Sequence, residues 1–251
     1  MIFITGDTHR DYTRFKTDIF PEQKEMTKDD FVIICGDFGI WNNSKEENHW
    51  FDWLDNRPFT TLFVDGNHEN FDLLNNYPVE QWHGGNVHFV RPSIVHLMRG
   101  QLFTIDGRTF FTMGGASSHD ISDGILYPDS PGYKKEKSLL DSQGKFTYRI
   151  SGISWWKEEL PSEEEYDIAR KTLSACEHSV DFILTHCAPN SISDTLGRGL
   201  YQPDALTNFL EEISQQCRFE NWFFGHCHED RIVNKRYVCL YEQIVRIPAK
   251  K

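Results

Sequence analysis

Short runs of apolar residues recur along the chain, and each run ends in a polar residue or a glycine. The clearest runs cover residues 2–5, 31–35, 61–64, 182–185 and 222–224. Runs that are apolar at nearly every position are typical of strands that are buried on both faces of a sheet. The pattern therefore predicts strands in the interior of one or more sheets.

In the middle of the chain the apolar runs follow one another with only short turns between them. These runs cover residues 87–90, 94–97, 102–105 and 109–113. Runs that are joined by such turns predict consecutive strands. Residues 232–240 similarly predict a hairpin that turns at Asn234 and Lys235.

Three segments have the residue pattern of a helix, namely residues 45–56, 162–176 and 203–217. In the second, Ser162 and Glu165 have the spacing of a capping box. In the third, Pro203 suits the first turn, and apolar residues mark one face. Together with the buried strands, these helices predict a mixed α/β fold with two packed sheets and helices outside.

Residues 115–156 have few strong element signals and are rich in Gly, Ser, Asp and Tyr. A segment of that length without regular elements is usually functional or mobile. No repeat or linker divides the chain. We therefore expect a single domain over residues 1–251, in which residues 115–156 form a loop or cap insertion near the functional site.

The composition is that of a globular protein, with 39% hydrophobic and 25% charged residues. The formal net charge is −12, and no basic cluster offsets it, which disfavours duplex nucleic acid as a partner. The six cysteines are scattered, so they predict reduced thiols. No apolar run suits a membrane span and no secretory signal is recognisable, so we expect the protein in the cytoplasm. The sequence makes no prediction about the oligomeric state.

Residue types that bind metals follow five of the predicted buried strands. They are Asp7, His9, Asp37, Asn67, His186, His226 and His228. Sites in α/β folds gather at the carboxyl ends of strands, so we expect these side chains to converge. Imidazole nitrogens with carboxylate and amide oxygens suit Mn, Fe, Ni, Zn or Co. Two such cations could clamp the oxygens of a phosphoester and lower the pKa of a bridging water.

The blocks GDTH, GDFG, GNHE, THCAP and GHCH occur in this order. In order and residue type they resemble the calcineurin-like metallophosphoesterases, and the resemblance covers Ile2 to about Val238. It implies a four-layer αββα sandwich of two mixed sheets flanked by helices, and two divalent cations, with manganese favoured. It further implies which residues hold them: Asp7, His9 and His228 the first, Asn67, His186 and His226 the second, and Asp37 both.

The resemblance also implies roles for the residues that follow Asn67. His68 matches the family's catalytic histidine, which stabilises the transition state or protonates the leaving oxygen, and Glu69 would orient a histidine. The acid that often pairs with that catalytic histidine is replaced here by Ile40. Asp120, Glu69 and a backbone carbonyl therefore remain as candidate partners of His68.

Ser/Thr protein phosphatases of this family grip a phosphomonoester with two arginines, where this chain has Trp41 and Asp65. This difference favours a phosphodiester or a small phosphorylated metabolite over a phosphoprotein as substrate. For contacts to that substrate we single out His119 and Arg198, which follow the predicted strands at 109–113 and 182–185. Cys187 and Cys227 lie beside motif histidines and could line the site without binding metal.

We therefore predict a phosphoesterase that attacks a phosphodiester or a small phosphomonoester with a metal-bridged hydroxide. Two alternatives stay open. A metal-holding scaffold without catalysis is favoured by Ile40 but opposed by the intact His68, and a nuclease with the same site is opposed by the charge of −12. The remaining histidines are expected to be structural: His49, His83, His88, His96 and His178.

Overall fold

Two mixed β-sheets pack face to face in the computed structural model of the chain, which describes residues 1–197 and 202–248. The strands are β1 (Ile2–Thr5), β2 (Phe31–Cys35), β3 (Thr60–Val64), β4 (Val79–Trp82), β5 (Gly85–Arg91), β6 (Ile94–Leu97), β7 (Gln101–Ile105), β8 (Arg108–Met113), β9 (Gly124–Leu126), β10 (Tyr148–Ile150), β11 (Phe182–Thr185), β12 (Asn221–Phe224), β13 (Arg231–Val233), β14 (Tyr237–Cys239) and β15 (Val245–Ile247). The α-helices are α1 (Lys45–Asp55), α2 (Phe71–Leu74), α3 (Tyr133–Ser142), α4 (Glu163–Ala175), α5 (Asn190–Gly197) and α6 (Ala205–Gln216).

The first sheet has the strand order β15-β1-β2-β3-β6-β5-β4, and the second has the order β13-β14-β12-β11-β8-β7. In the first sheet, β1, β2, β3 and β6 are parallel neighbours, while β15, β5 and β4 run antiparallel to their neighbours. In the second sheet, β8, β11, β12 and β14 are parallel neighbours. The buried strands that the sequence predicts are therefore the central parallel strands of both sheets.

Alternation along the strands divides the apolar side chains into three separate layers. In β2, Ile33 and Cys35 lie in the layer between the two sheets, whereas Val32 and Ile34 pack on the opposite face. The second sheet follows the same rule, since Phe223 faces the first sheet and its neighbours in β12 face the helices. Each central strand is thus buried on both sides, which explains its continuous apolar run.

Helices cover the outer face of each sheet. Phe51 and Leu54 of α1 pack on the first sheet, while Leu173 of α4 and Leu210 of α6 pack on the second. The layer order is helix, sheet, sheet, helix, so the expected αββα sandwich is confirmed. The capping box of Ser162 is present at the start of α4. The third helix starts later than predicted, because Asp204 is its N-cap and Pro203 precedes it.

Residues 115–156, called the cap segment below, contain more regular structure than the sequence predicts. They form the helix α3 and a separate two-stranded parallel sheet of β9 and β10. Helix α3 buries no residue, and each strand has only three residues. An element that buries little surface needs no strict hydrophobic period, so the pattern gave no strong signal there.

Strands at the edges of the first sheet were also missed. Most of β4 is exposed, and β15 buries only its last residue, Ile247. The hairpin of β13 and β14 does turn through Asn234 and Lys235, both with positive φ. In the part of the chain that the structure describes, no helix combines the length and the apolarity that crossing a membrane requires.

Candidate metal centre

The predicted metal-binding residues converge at one end of the sandwich. Asp7 and His9 follow β1, Asp37 follows β2 and Asn67 follows β3, so these residues leave three adjacent parallel strands of the first sheet. His186 follows β11, and His226 and His228 follow β12, which are neighbours in the second sheet. The carboxyl ends of the parallel strands of both sheets therefore border a single site.

A first group of side chains could hold one cation. Ligand atoms of Asp7, His9, Asp37 and His228 all lie within 4.8 Å of one another. Nε2 of His9 lies 3.0 Å from Nε2 of His228 and 3.5 Å from Oδ2 of Asp37. Two imidazoles and two carboxylates at such distances suit a divalent transition ion.

A second group lies on the other side of Asp37. Nε2 of His186 lies 3.2 Å from Oδ1 of Asn67 and 3.3 Å from Oδ2 of Asp37. The rings of His186 and His226 are 4.9 Å apart between centroids. Oδ2 of Asp37 is thus close to imidazole nitrogens of both groups, which is the position that a bridging carboxylate occupies.

The backbone at the site is unusual, because several of these residues have left-handed conformations. Asp7, His9, Asp37, His226 and His228 have φ between 43° and 65°. For residues other than glycine such a conformation costs roughly 1–3 kcal/mol each and persists only where the surrounding structure imposes it. These backbone conformations therefore lower the stability of the fold, and they direct the five side chains into the site.

Two glycines of the sequence blocks are required by close approach. A Cβ on Gly36 would lie 2.1 Å from Nδ1 of His186, and one on Gly66 would lie 2.1 Å from Oδ1 of Asp37. Any side chain at either position would displace a candidate ligand from a neighbouring strand. This packing explains why glycine precedes Asp37 and Asn67 in the sequence.

Hydrogen bonds fix the orientation of the candidate ligands. His226 N–H donates to both carboxylate oxygens of Asp7, and His68 N–H donates to Oδ1 of Asp37 at 2.9 Å. Nδ1 of His186 lies 3.0 Å from the carbonyl oxygen of Cys35, so an Nδ1–H can donate there and leave Nε2 for a cation. The imidazole of His186 therefore directs Nε2, the nitrogen that could bind a cation, towards Asn67 and Asp37.

Ser118 orients the Asn67 amide and was not identified from the sequence. Nδ2 of Asn67 donates to Oγ of Ser118 at 3.3 Å, so its Oδ1 faces His186. Ser118 N–H in turn donates to the buried carboxylate of Glu159 at 3.2 Å. A serine in a loop gives no signal of this role, because its partner is 51 residues away in the chain.

The electrostatics of the site favour a cation. Burial alone would raise the pKa of Asp37, but His186, together with His68 and His9, outweighs burial and holds that pKa well below its usual range. Burial would likewise lower the pKa of His186, yet Asp37 and Asp7 raise it to about 10. Burial raises the pKa of Asp7 to about 7 and lowers that of His9 to about 4. Metal binding requires neutral imidazoles and ionised carboxylates. His9 is therefore ready for a cation at neutral pH, whereas His186 must first lose a proton.

His68 lies beside the first group, with its ring 5.3 Å from that of His9. Its backbone is held from two sides, since its N–H donates to Asp37 and its carbonyl accepts from Nε1 of Trp41 at 2.8 Å. Burial lowers the pKa of His68, and Arg149 adds to this effect while Asp37 and Asp120 oppose it. Within residues 1–197 and 202–248, no hydrogen bond reaches the His68 imidazole.

The prediction that Glu69 orients a histidine is wrong. Its carboxylate is fully buried and accepts hydrogen bonds from three successive backbone amides at 2.6–3.1 Å, those of Phe38, Gly39 and Ile40. Glu69 therefore shapes the loop after Asp37 instead of a ligand imidazole. Of the side chains considered as partners of His68, Asp120 is the one whose charge acts on it.

Trp41 and Asp65, which occupy the positions of the two arginines of Ser/Thr phosphatases, make other contacts in this chain. The carboxylate of Asp65 is buried, with Nε of Arg99 donating at 2.8 Å and Nε2 of His96 at 3.1 Å. The ring of Trp41 lies under the guanidinium of Arg10, at 4.6 Å. His96 thus has the structural role that was expected of it.

A cavity of about 910 Å³ opens beside the second group. His119 lines it, with Nε2 only 2.6 Å from Nε2 of His226, and Cys187 and Cys227 line it as expected. Burial raises the pKa of Cys187, so its thiol stays protonated. Arg198 lies outside the described residues.

A profile of the calcineurin-like phosphoesterase family matches residues 1–230, so the chain belongs to that family. Lariat debranching enzyme A of Xenopus laevis is 24% identical over 211 residues, which cover 76% of this chain and 33% of that protein. The chain therefore spans about a third of the length of this relative. Among solved structures, phosphopantetheinyl hydrolase from Mycobacterium tuberculosis has 14% identity and a TM-score of 0.44, with 96% of this chain and 89% of that chain covered.

The family expected from the five sequence blocks is thus confirmed. Its members typically use two divalent cations, and Asp7, His9, Asp37 and His228 form a candidate site for one in this chain. Family and site together define a metallophosphoesterase.

Proposed function

We propose that this chain hydrolyses a phosphodiester or a small phosphomonoester with two divalent cations, with manganese as the favoured ion. Asp7, His9 and His228 would hold the first, Asn67, His186 and His226 the second, and Asp37 both. The observation that carries the proposal is the position of Oδ2 of Asp37, 3.5 Å from His9 Nε2 and 3.3 Å from His186 Nε2. When bound, such cations polarise the ester and activate a water for attack on phosphorus.

In this proposal His68 acts on the phosphoryl group. Its lowered pKa keeps the imidazole neutral at about pH 7, so one ring N–H can donate to a phosphoryl oxygen or to the leaving oxygen. The hydrogen bonds of its backbone to Asp37 and Trp41 fix its position relative to the candidate ligands. His68 therefore needs no large movement to reach a substrate that lies on the metal centre.

The choice of substrate follows from the residues beside the site. Asp65 is committed to Arg99, and Trp41 is neutral, so neither position supplies the paired guanidinium groups that a phosphomonoester dianion favours. A diester carries one negative charge less at the phosphorus and needs less compensation. A phosphodiester or a small phosphorylated molecule, and not a phosphoprotein, is therefore the substrate class that we favour.

Chromogenic aryl phosphates test the proposal. Wild-type protein loaded with Mn²⁺ should hydrolyse bis(p-nitrophenyl) phosphate, and a chelator should abolish the activity. Asp37→Asn should lower kcat/KM by about a thousandfold or more, because the lost metal stabilisation amounts to several kcal/mol. Asp167→Asn, on the exposed face of α4, is the matched control and should change nothing. Metal-loaded wild type that is inert towards both aryl diesters and monoesters would contradict the proposal.

A metal-holding scaffold is the second candidate, and the imidazole of His68 favours it because the described residues offer it no hydrogen bond. His68→Ala separates the two functions. An enzyme should lose about 10²–10⁴-fold in kcat while retaining its metals, whereas a scaffold has no turnover to lose. His49→Ala, at an exposed position of α1, is the control. Metal content by elemental analysis, measured beside kcat, completes the test.

The similarity to a lariat debranching enzyme keeps a nuclease with the same site as a further candidate. A polymer bound through several phosphates should lose about 10³-fold in affinity between about 50 and 200 mM salt. Rates on an oligonucleotide that stay constant over that range would exclude it. A location in the cytoplasm stays a prediction from the sequence.

A further inference from the structure

Arg149 of the cap segment forms an ion pair next to the metal centre. It lies in β10, and its Nε and Nη2 donate to the two carboxylate oxygens of Asp120 at 2.9 and 2.5 Å. Asp120 directly follows His119, whose Nε2 lies 2.6 Å from Nε2 of the candidate ligand His226. The guanidinium of Arg149 is thus bound to the residue that directly follows His119, and His119 contacts the candidate ligand His226.

Other neighbours define the position of this ion pair more closely. The charges of Arg149 and Asp120 both act on His68, lowering and raising its pKa respectively. Arg149 also lowers the pKa of Glu159, the residue that holds Ser118 beside Asn67. Ser118, two residues before Asp120, accepts a hydrogen bond from the candidate ligand Asn67. The loop that carries Asp120 therefore borders both Asn67 and His226.

The guanidinium retains donors for a second anion. A guanidinium has five N–H groups in a fixed plane, and the pair with Asp120 uses the edge formed by Nε and Nη2. The edge formed by Nη1 and Nη2 points away from Asp120, and in residues 1–197 and 202–248 no hydrogen bond uses Nη1. The side chain is 21% exposed.

Two other arginines near the site, Arg14 and Arg10, contact different groups of the protein. Nη1 of Arg14 donates to the carbonyl of Gly6 and to Oγ1 of Thr5, beneath the site. The guanidinium of Arg10 covers Trp41 and lies 3.7 Å from the buried carboxylate of Glu47. Arg149 differs from both in its partner, because the carboxylate of Asp120 is exposed whereas that of Glu47 is buried.

We propose that Arg149 binds a non-bridging oxygen of the substrate's phosphoryl group and that Asp120 holds its guanidinium in position. This inference rests on the proposed function, since the phosphoryl group is the one that would be hydrolysed at the metal centre. It assigns the cap segment a direct part in substrate binding. Arg149 would also provide a positively charged side chain for the phosphoryl group, which Trp41 and Asp65 cannot provide.

Inorganic phosphate is the probe for this site. Its Kd for the Mn²⁺-loaded protein, measured by isothermal titration calorimetry, should rise about tenfold to a hundredfold in Arg149→Gln, as expected for loss of charged hydrogen bonds. Arg149→Lys keeps the charge but not the planar pair of donors, so its Kd should lie between those of wild type and Arg149→Gln. Arg170→Gln, a half-exposed arginine of α4, should bind phosphate like wild type.

A purely structural ion pair gives a different result. If the pair only holds the two ends of the cap segment together, Arg149→Gln and Asp120→Asn should lower the midpoint of thermal unfolding equally and leave the phosphate Kd and KM unchanged. That result would overturn the inference, as would wild type that binds no phosphate when loaded with metal. Under the inference, Asp120→Asn should weaken phosphate binding less than Arg149→Gln, because the guanidinium is kept.

The same measurements separate this inference from the proposed function. Phosphate binding that depends on Arg149, in a protein that hydrolyses no ester, would refute the hydrolysis and leave the binding site standing. Hydrolysis of the aryl diester with a phosphate Kd and KM that do not depend on Arg149 would refute the inference alone.

Discussion

The metal centre and the cap segment border the same site, but they are built differently. The candidate ligands follow strands whose residues are buried throughout, such as β2 and β11. In the cap segment, by contrast, α3 buries no residue, and Leu139, Phe146 and Ile153 are more than half exposed. The centre is therefore held by the packing of both sheets, whereas the cap segment buries only a few apolar side chains, such as Leu126 and Trp156, and otherwise relies on polar contacts.

One polar contact joins two parts of the cap segment, and another joins the segment to the body. Arg149 pairs with Asp120 near its start, and Nε1 of Trp156 donates to Asp72 of α2 at its end. Elements with few buried apolar contacts open at low free-energy cost, while core strands open only with global unfolding. A rigid metal centre beside a loosely packed cap segment suits an enzyme whose chemistry is fixed and whose substrate contacts can vary.

Truncation of one leucine in each region should show the largest difference in stability. Leu184→Ala, in the layer between the sheets, should lower the free energy of unfolding by about 2–5 kcal/mol, because it leaves a cavity there. Leu139→Ala, on the exposed face of α3, should change it by less than about 0.5 kcal/mol. Denaturant unfolding followed by circular dichroism measures both values. Equal losses would mean that the cap segment is as well packed as the body.

A glycine-to-alanine substitution should lower the hydrolytic activity when it is made at the metal centre but not when it is made in the cap segment. Gly66→Ala places a Cβ against Oδ1 of Asp37, and such a displacement should lower kcat/KM by about a hundredfold or more. Gly132→Ala, at the N-terminus of α3, meets no atom within 4 Å and should leave kcat/KM unchanged. Mn²⁺ binding should weaken in Gly66→Ala alone. Full activity in that variant would show that Asp37 can move without consequence.

The affinity for metal should fall as the pH falls. The pKa of His186 is raised to about 10, so below that pH a cation at its Nε2 must displace one proton. The pKa of Asp7 is raised to about 7, so a second proton must leave below that pH. The Kd for Mn²⁺ should therefore rise about tenfold per pH unit near pH 8 and more steeply below about pH 7.

Calorimetry in buffers of different ionisation enthalpy counts the protons released on binding. The variant His186→Ala should release one proton fewer than wild type near pH 8. A Kd for Mn²⁺ that does not change with pH would contradict the protonation states given above.

The central strands, three helices and the candidate ligands could all be predicted from the amino-acid sequence, because each depends on a local pattern of residues. Strands buried on both faces must be apolar at every position, so residues 31–35 and 182–185 could be recognised directly. The five blocks, with their ligands and glycines, are equally local. The side chains that pack against these glycines cannot be predicted locally, since His186, which packs against Gly36, belongs to the other sheet.

The contacts between side chains that are distant in the sequence could not be predicted in this way, because they depend on how the two sheets pack. The position of Asp37 between His9 and His186, the bond from Asn67 to Ser118 and the binding of Glu69 to the amides after Asp37 all join residues about 30 to 150 positions apart. The same holds for Arg149, which pairs with Asp120 across the cap segment. Hydrophobic periodicity shows which face of a strand is buried, but the packing of the two sheets sets which polar ends come together.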